Sequence, residues 1–125
     1  MSISGRFYQT VQALSSRLRI IAGTVAIGAA GAVGAQTGKG FSVARSGTGT
    51  YVVSLAGSGT ANILYSSVVN SVDTAAGGLA HVRKTDPAAR TLSVVTSLGG
   101  APGTPADPPS GSVLSFVLLV NDGRV

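Results

Sequence analysis

The sequence of 125 residues contains no cysteine, no tryptophan and no glutamate, and it has a single histidine. Without cysteine, a disulfide, a thiolate nucleophile and a sulfur-ligated metal are all excluded. Charged residues make up only 10% of the chain, against about 25% in typical soluble domains. The surface must therefore be built largely from small neutral side chains, and such a surface tends to be covered by a partner. These absences favour a component of an assembly.

The charges that are present are mostly positive. Nine lysines and arginines stand against four aspartates, which gives a net charge of +5. Arginine, the commoner cation here, binds carboxylates as well as phosphates through paired hydrogen bonds. A nucleic-acid site would need clustered cations and stacking aromatics, whereas these cations are dispersed at Arg6, Arg17, Arg19, Lys39, Arg45, Arg83, Lys84, Arg90 and Arg124. We expect no nucleic-acid partner; an acidic protein surface or unspecialised surface charge explains the cations.

Candidate catalytic residues are equally scarce. The one histidine, His81, lies in the segment LAHVRK, where a half-buried strand residue is a better explanation than a general base. A hydrolase would need two carboxylates to converge on this histidine. Each carboxylate instead falls in a predicted turn or loop, where it can cap backbone N–H groups: Asp73, Asp86, Asp107 and Asp122. We therefore expect no enzymatic activity, no cofactor and no metal site.

The glycine-rich stretch GFSVARSGTGTYVVSL, residues 40–55, suggests either a phosphate-binding loop or a turn between two strands. A Walker loop needs a glycine, four residues, Gly-Lys and then Ser or Thr, followed by a helix. Around the Gly-Lys-Gly at 38–40, Val33 replaces the first glycine, a glycine replaces the hydroxyl residue, and a strand-like segment follows. The residues favour a hairpin with a four-residue loop in which Gly47 and Gly49 adopt positive φ.

The uncharged segment IIAGTVAIGAAGAVGA, residues 20–35, follows two arginines. It is shorter than the roughly 20 residues that span a bilayer. A basic flank, an apolar middle and the small residues VGA are also typical of a signal peptide. We expect the segment to be retained in the folded chain, without a membrane partner.

Short runs rich in β-branched residues alternate with glycine and proline turns along most of the chain. The predicted strands lie at 18–27, 41–45, 50–55, 61–72, 79–84, 91–97 and 113–120. Residues 28–40 contain too little side chain to pack as a strand. Asp86 and Pro87 predict a turn within 85–90. Residues 99–112 contain four of the five prolines, which predicts a long exposed loop.

The run VLSFVLLV at 113–120 is apolar at nearly every position, which is too much for one face of a strand. It predicts either a central strand covered on both sides or a strand with one face against a partner. Six to eight short strands with almost no helix predict an antiparallel β-sandwich or barrel-like domain.

Residues 1–19 are the only stretch with helical spacing of apolar side chains. We expect this stretch to be an N-terminal arm or short helix, and residues 20–125 to be a single β domain that includes the proline-rich loop. The arm either packs on its own domain or reaches a neighbouring subunit. In the second case its basic and aromatic side chains would bind the partner: Arg6, Phe7, Tyr8, Arg17 and Arg19.

Three segments, taken in order, resemble small virion proteins of tailed bacteriophages. They are GFSVARSGTGTYVVSL at 40–55, the stretch 82–95 with its DPAARTL turn, and GSVLSFVLLVN at 111–121. In those proteins a GxGxYTVTL-like hairpin is followed by a VDxxARTVTV-like hairpin and a terminal VxFxLxLRNS-like strand. The resemblance covers residues 17–125, although the Gly-Ala tract and the proline-rich loop depart from the pattern.

The resemblance implies a non-enzymatic capsid decoration or cement protein, located on the capsid surface of the virion. Such a protein would bind the major capsid protein and stabilise the assembled head shell. Decoration proteins are commonly homotrimers at local symmetry axes. The alternative is a tail or fibre module that recognises host surface glycans through the 99–112 loop.

Overall fold

The computed structural model describes residues 18–71 and 78–121. They form eight β-strands and one short 3-10 turn, Ala29–Gly31. The strands are β1 (Leu18–Ile27), β2 (Val33–Gly38), β3 (Phe41–Gly47), β4 (Thr50–Leu55), β5 (Asn62–Ser71), β6 (Gly78–Asp86), β7 (Thr91–Leu98) and β8 (Val113–Asn121).

The strands form two four-stranded sheets with antiparallel pairing throughout. Sheet A has the order β2-β1-β8-β5, and sheet B has the order β3-β4-β7-β6. The chain passes from sheet A to sheet B between β2 and β3, where Gly38 and Gly40 adopt φ values of 124° and 86°. The two sheets pack against each other, so the predicted antiparallel β-sandwich is confirmed.

The core lies between the sheets and follows the two-residue period of the strands. In β4, Tyr51, Val53 and Leu55 are buried while the residues between them are partly exposed. The same alternation in β8 buries four side chains against them: Leu114, Phe116, Leu118 and Val120. One apolar face from each sheet thus closes the interior of the domain.

The expectation that residues 28–40 contain no strand is wrong, because β2 forms there at the edge of sheet A. An edge strand needs backbone pairing on one side only, and β2 obtains it from β1. The ring of Phe41 also covers this corner: a Cβ atom on Gly23 or Gly38 would collide with it. Phe41 in turn packs edge-on against Phe116, with ring centroids 4.7 Å apart. Small residues here make room for an aromatic side chain instead of preventing a strand.

The β3–β4 hairpin is tighter than expected. Only Thr48 and Gly49 lie between the paired strands, and Ser46 is an extra residue in the register between Arg45 and Gly47. Gly49 has a φ of 64°, as predicted, whereas Gly47 is not among the residues with positive φ. The predicted loop, 46–49, is two residues longer than the observed turn, because the bulge at Ser46 lets Ser46 and Gly47 belong to β3.

Four further expectations concern individual segments. Within the stretch 61–72, where the sequence predicts one long strand or two short ones, residues 62–71 form the single strand β5, and the DPAA segment forms the turn between β6 and β7. The expected arm, 1–19, ends inside β1, which begins at Leu18. The apolar run 113–120 is the central strand β8, covered by the core on one face only.

Candidate interaction surface

The side of sheet A that faces away from the core is an extended apolar surface, which we call the outer face of sheet A. Strand alternation and pairing register assign to it the residues Ile20, Ala22, Thr24 and Ala26 of β1, Val113, Ser115, Val117 and Leu119 of β8, Tyr65, Ser67 and Val69 of β5, and Thr37 of β2. Four of its large apolar side chains are between 45% and 71% exposed: Ile20, Tyr65, Val69 and Val117.

The described side chains of this face include no charge. Arg19 is the only charged residue in the four strands of sheet A. It has the opposite orientation on β1, and its Nη2 donates a 3.1 Å hydrogen bond to the carbonyl oxygen of Ala56. An exposed apolar sheet face without charges is unusual for a monomer and is typical of a surface that contacts another protein.

A groove of about 440 Å³ runs along the middle of this face. Small side chains line it, including Ala22, Thr24 and Ser115, together with the larger Val69 and Val117. None of the lining residues is charged. The groove therefore offers no opposite charge to a charged ligand, and its mainly apolar lining suits an apolar ridge.

The opposite surface of the sandwich has a different character. The outward positions of sheet B carry hydroxyl groups on the central strands, as at Ser54 and Ser93, and cationic or polar groups on the edge strand β6, as at His81 and Lys84. The outer side of sheet B thus combines cationic and polar groups with apolar ones such as Leu79, whereas the outer face of sheet A carries no charge.

A second feature of the molecule is an ion pair that fixes the proline-rich loop. Both carboxylate oxygens of Asp107 accept hydrogen bonds from Arg45, at 3.0 Å from Nε and 2.8 Å from Nη2. The N–H of Gly49 donates a third hydrogen bond, of 2.8 Å, to Oδ1. The hydrogen bonds from Arg45, and then that from Gly49, hold the pKa of Asp107 below its usual value, against the opposing effect of burial.

The same loop is bonded to the end of β7. The N–H of Ala106 donates to the carbonyl oxygen of Thr96 at 2.9 Å, and the Thr96 hydroxyl donates to the carbonyl oxygen of Ala106 at 2.8 Å. Pro108 and Ser112 are buried. The predicted long exposed loop is therefore exposed at 100–105 and again at 109–111, whereas 106–108 are covered because they pack on the β3–β4 hairpin and β7.

The buried hydroxyl of Tyr51 connects this region to the 3-10 turn. It donates a 2.8 Å hydrogen bond to the carbonyl oxygen of Gly31, and Gly31 lies so close to Asp107 that a Cβ atom would collide with the carboxylate. Burial raises the pKa of Tyr51. The segment between β1 and β2, the hairpin and the loop thus form one connected polar cluster.

Arg90 organises the other end of sheet B. Only 7% of the residue is exposed, and it adopts a φ of 60° in the turn before β7. Its guanidinium donates hydrogen bonds to four backbone carbonyl oxygens of the β4–β5 connection, at distances from 2.6 to 3.3 Å: those of Leu55, Ala56, Ser58 and Gly59. The arginine of the DPAARTL segment therefore has a structural role that its sequence context did not reveal.

The predicted partner-binding residues are only partly covered by the structure. Arg6, Phe7, Tyr8 and Arg17 lie outside the described residues, so their roles stay predictions. Arg19 lies in β1 and makes the contact with Ala56 described above, so part of its hydrogen-bonding capacity is used within the chain.

The described residues contain no group of three metal-ligating side chains. His81 is exposed on β6, so the expectation that it is half-buried is wrong; β6 is an edge strand, and no described strand pairs with its free edge. Asp86 accepts a hydrogen bond from the N–H of Ala89, as expected for a turn carboxylate. Asp73 and Asp122 lie outside the described residues.

Segment 20–35, considered above as a membrane span or signal peptide, forms β1, the 3-10 turn and the start of β2. Among residues 18–71 and 78–121, no helix has the length and apolar character that crossing a bilayer requires.

Comparison with known proteins gives no relative: no protein-family model, no curated protein and no solved structure matches the chain. Its function must therefore be argued from its own residues.

The sequence carried one signal for the outer face of sheet A, namely the run 113–120, whose two faces are both apolar. The scarcity of charge across β1, β2, β5 and β8 was a second signal. It could not be used without the strand order, because these four strands are scattered along the chain.

Proposed function

We propose that the chain is a non-enzymatic structural protein of a bacteriophage virion, a decoration or cement protein that binds the assembled head shell. The observation that carries the proposal is the uncharged apolar outer face of sheet A. A face of this kind is unfavourable in water and becomes favourable in a permanent assembly, where neighbouring subunits cover it.

The segments that resemble phage virion proteins support the proposal. They fold as the β3–β4 hairpin, the β6–β7 hairpin and the central strand β8, the same kinds of element that the resemblance implies. Arg90 lies in the second of these hairpins, and its four backbone contacts give the arginine of that segment a physical purpose.

In this role the chain stabilises the shell by mass action. A protein that binds only the assembled shell lowers its free energy by the free energy of binding, and thus raises the temperature at which it comes apart. The partner is the major capsid protein, and the chain acts as a homo-oligomer, with a trimer favoured. Contacts from Arg6, Phe7, Tyr8, Arg17 and Arg19 to acidic and apolar capsid surface belong to the same proposal.

The test compares phage particles assembled with and without the chain. We expect particles that lack it to open at lower temperature and at low ionic strength, and to regain resistance when purified protein is added. Electron microscopy of the restored particles should place the added density on the outside of the head. Equal resistance of both kinds of particle would rule out cementing. Binding to host glycans, with no binding to heads, would favour the tail or fibre alternative.

A deletion of residues 1–16 tests the arm separately. We expect the truncated protein to occupy shells less completely than the full chain at equal concentration, since Arg6, Phe7 and Tyr8 are lost while Arg17 and Arg19 are kept. Undiminished occupancy would remove the arm from the proposal and leave the β domain as the binding unit.

A further inference from the structure

We infer that the outer face of sheet A is the surface through which copies of this chain associate with each other. The inference rests on the proposed function and deepens its oligomeric part by naming the surface; because a surface that contacts itself joins two copies, it makes a dimer, in place of the trimer, the unit in solution. Its test uses purified protein without any shell. Self-association can therefore be absent while the virion role stands, and the virion role can fail while self-association is observed.

The distribution of charge favours contact between copies through this face. The chain has a net charge of +5, so two copies repel each other wherever their cations meet. Six cations lie among the described residues: Lys39 in the β2–β3 turn, Arg45 on edge strand β3, Arg83 and Lys84 on edge strand β6, Arg90 in the turn before β7, and Arg19 on β1, oriented away from the outer face. None lies on the outer face of sheet A. Contact through this face keeps like charges apart, whereas an acidic partner would be attracted to the other surfaces.

The area of the outer face of sheet A is close to that of a standard protein interface. Four strands about 4.8 Å apart, and about nine residues long at 3.3 Å per residue, cover roughly 550 Å² in projection. Protruding side chains make the accessible area larger than the projected area. A standard protein interface buries about 800 Å² on each partner. The outer face of sheet A is therefore of the size that a stable contact between two copies needs.

The shape of the outer face of sheet A also favours contact with a second copy. The face carries a groove lined by small residues such as Ala22 and Ser115 and, on the same surface, exposed large side chains such as Ile20 and Tyr65. A contact between identical surfaces requires a surface complementary to itself. A face that has both a groove and protruding side chains meets this requirement when one copy is rotated relative to the other.

The test introduces one lysine at matched positions on the two sheets. Val117, in the middle of the outer face of sheet A, and Leu79, on β6 of sheet B, are both 45% exposed. Val117→Lys and Leu79→Lys therefore add the same charge at the same degree of exposure. Ile20→Lys, at a position 71% exposed, provides a second variant on the outer face that is even less able to disturb the core.

We expect wild-type protein to sediment at twice the 12.3 kDa chain mass, because a contact between identical surfaces joins two copies. Val117→Lys and Ile20→Lys should weaken association at least about tenfold, because each contact then holds a desolvated charge from both copies. Leu79→Lys should leave association unchanged. Circular dichroism must show that all three variants are folded. Association of the wild type should tighten as NaCl is raised from about 0.05 to 0.5 M, because salt screens repulsion between the cationic copies.

Three results would overturn the inference. One is a wild-type protein that is monomeric at about 100 µM, a concentration at which even modest interfaces associate. Another is equal weakening by Leu79→Lys and Val117→Lys. The third is association that survives both outer-face variants and is lost when residues 1–16 are deleted, which would assign the contact between copies to the N-terminal segment instead.

Discussion

The N–H of Gly49 donates a 2.8 Å hydrogen bond to Oδ1 of Asp107, a residue 58 positions further along the chain. The glycine hairpin, examined above as a phosphate-binding loop, does therefore bind an anion, but this anion is a carboxylate of the same chain. Arg45 neutralises it with two further hydrogen bonds. The conformational freedom of glycine serves this contact: Gly49 has positive φ, and a Cβ atom there would collide with the backbone of Ala106.

This contact predicts an acid-dependent loss of stability. The pKa of Asp107 is lower in the folded chain than its ordinary value of 3.8, so the stabilisation is complete above that value and is lost as pH falls through the folded pKa. Asp107→Asn should lower Tm at pH 7 by about 5 °C. The difference from wild type should shrink as pH falls below about 4. Thermal unfolding followed by circular dichroism measures both effects.

Asp86→Asn is the control for this experiment, because it removes the same charge from a carboxylate whose hydrogen bond is to the nearby Ala89. We expect its Tm at pH 7 to change less than that of Asp107→Asn. A difference between wild type and Asp107→Asn that persists undiminished at pH 3 would show that the carboxylate charge is not what stabilises the loop.

Tyr51→Phe should destabilise the fold although it removes a single oxygen atom. The hydroxyl is buried and donates to the carbonyl oxygen of Gly31, so the variant leaves that oxygen unpaired, at a cost of about 1 to 2 kcal/mol. Urea denaturation gives the change in the free energy of unfolding. Tyr65→Phe, at a 60% exposed position, should be close to neutral. Equal effects of the two changes would contradict the importance of the Tyr51 hydrogen bond.

Arg90 can be tested by three substitutions that separate its side chain from its backbone conformation. Arg90→Ala loses all four guanidinium hydrogen bonds and should cost about 2 to 4 kcal/mol. Arg90→Lys should also be strongly destabilising, because a single ammonium group cannot reproduce the planar fork. Arg90→Gly should be about 1 kcal/mol more stable than Arg90→Ala, since a φ of 60° strains alanine but not glycine. The reverse order would mean that the turn relaxes to an ordinary φ once the arginine is gone.

The corner between the sheets depends on the missing side chain of Gly23. Gly23→Ala should destabilise the fold by about 1 to 3 kcal/mol, because its Cβ atom would displace the Phe41 ring from its place beside Phe116. Gly100→Ala is the matched control, since nothing lies within 4 Å of a Cβ atom there. Urea denaturation of both variants should show a loss for Gly23→Ala alone. Equal stability of the two would show that Phe41 repacks without cost.

Local chemistry predicted much of this fold, and distance along the chain explains what it did not predict. The two hairpins and the turn near Pro87 follow from the residues at the turns themselves. The strand β2 was missed because its stability comes from pairing with β1 and from the Phe41 ring, neither of which is visible in a Gly-Ala tract. The Arg45–Asp107 pair joins residues 62 positions apart, and no turn rule connects them.

The outer face of sheet A could be predicted from the sequence only in part. The apolar run 113–120 indicated that one strand had a second face to cover. The extent of the surface became clear only when the strand order placed β1 and β5 on either side of β8. The exposed histidine was mispredicted for a related reason, because the alternation of residues in β6 does not reveal that it is an edge strand.

The position of β8 also determines when the fold can be completed. Sheet B is built from β3, β4, β7 and β6, all of which leave the ribosome before β8, whereas the apolar strands β1 and β5 of sheet A are joined only through β8. Until β8 has been synthesised, β1 lacks its central pairing partner, and its apolar side chains can associate with other nascent chains. Truncation shortly before residue 113 should therefore yield a chain in which sheet B can assemble while β1 and β5 lack their common partner and promote aggregation.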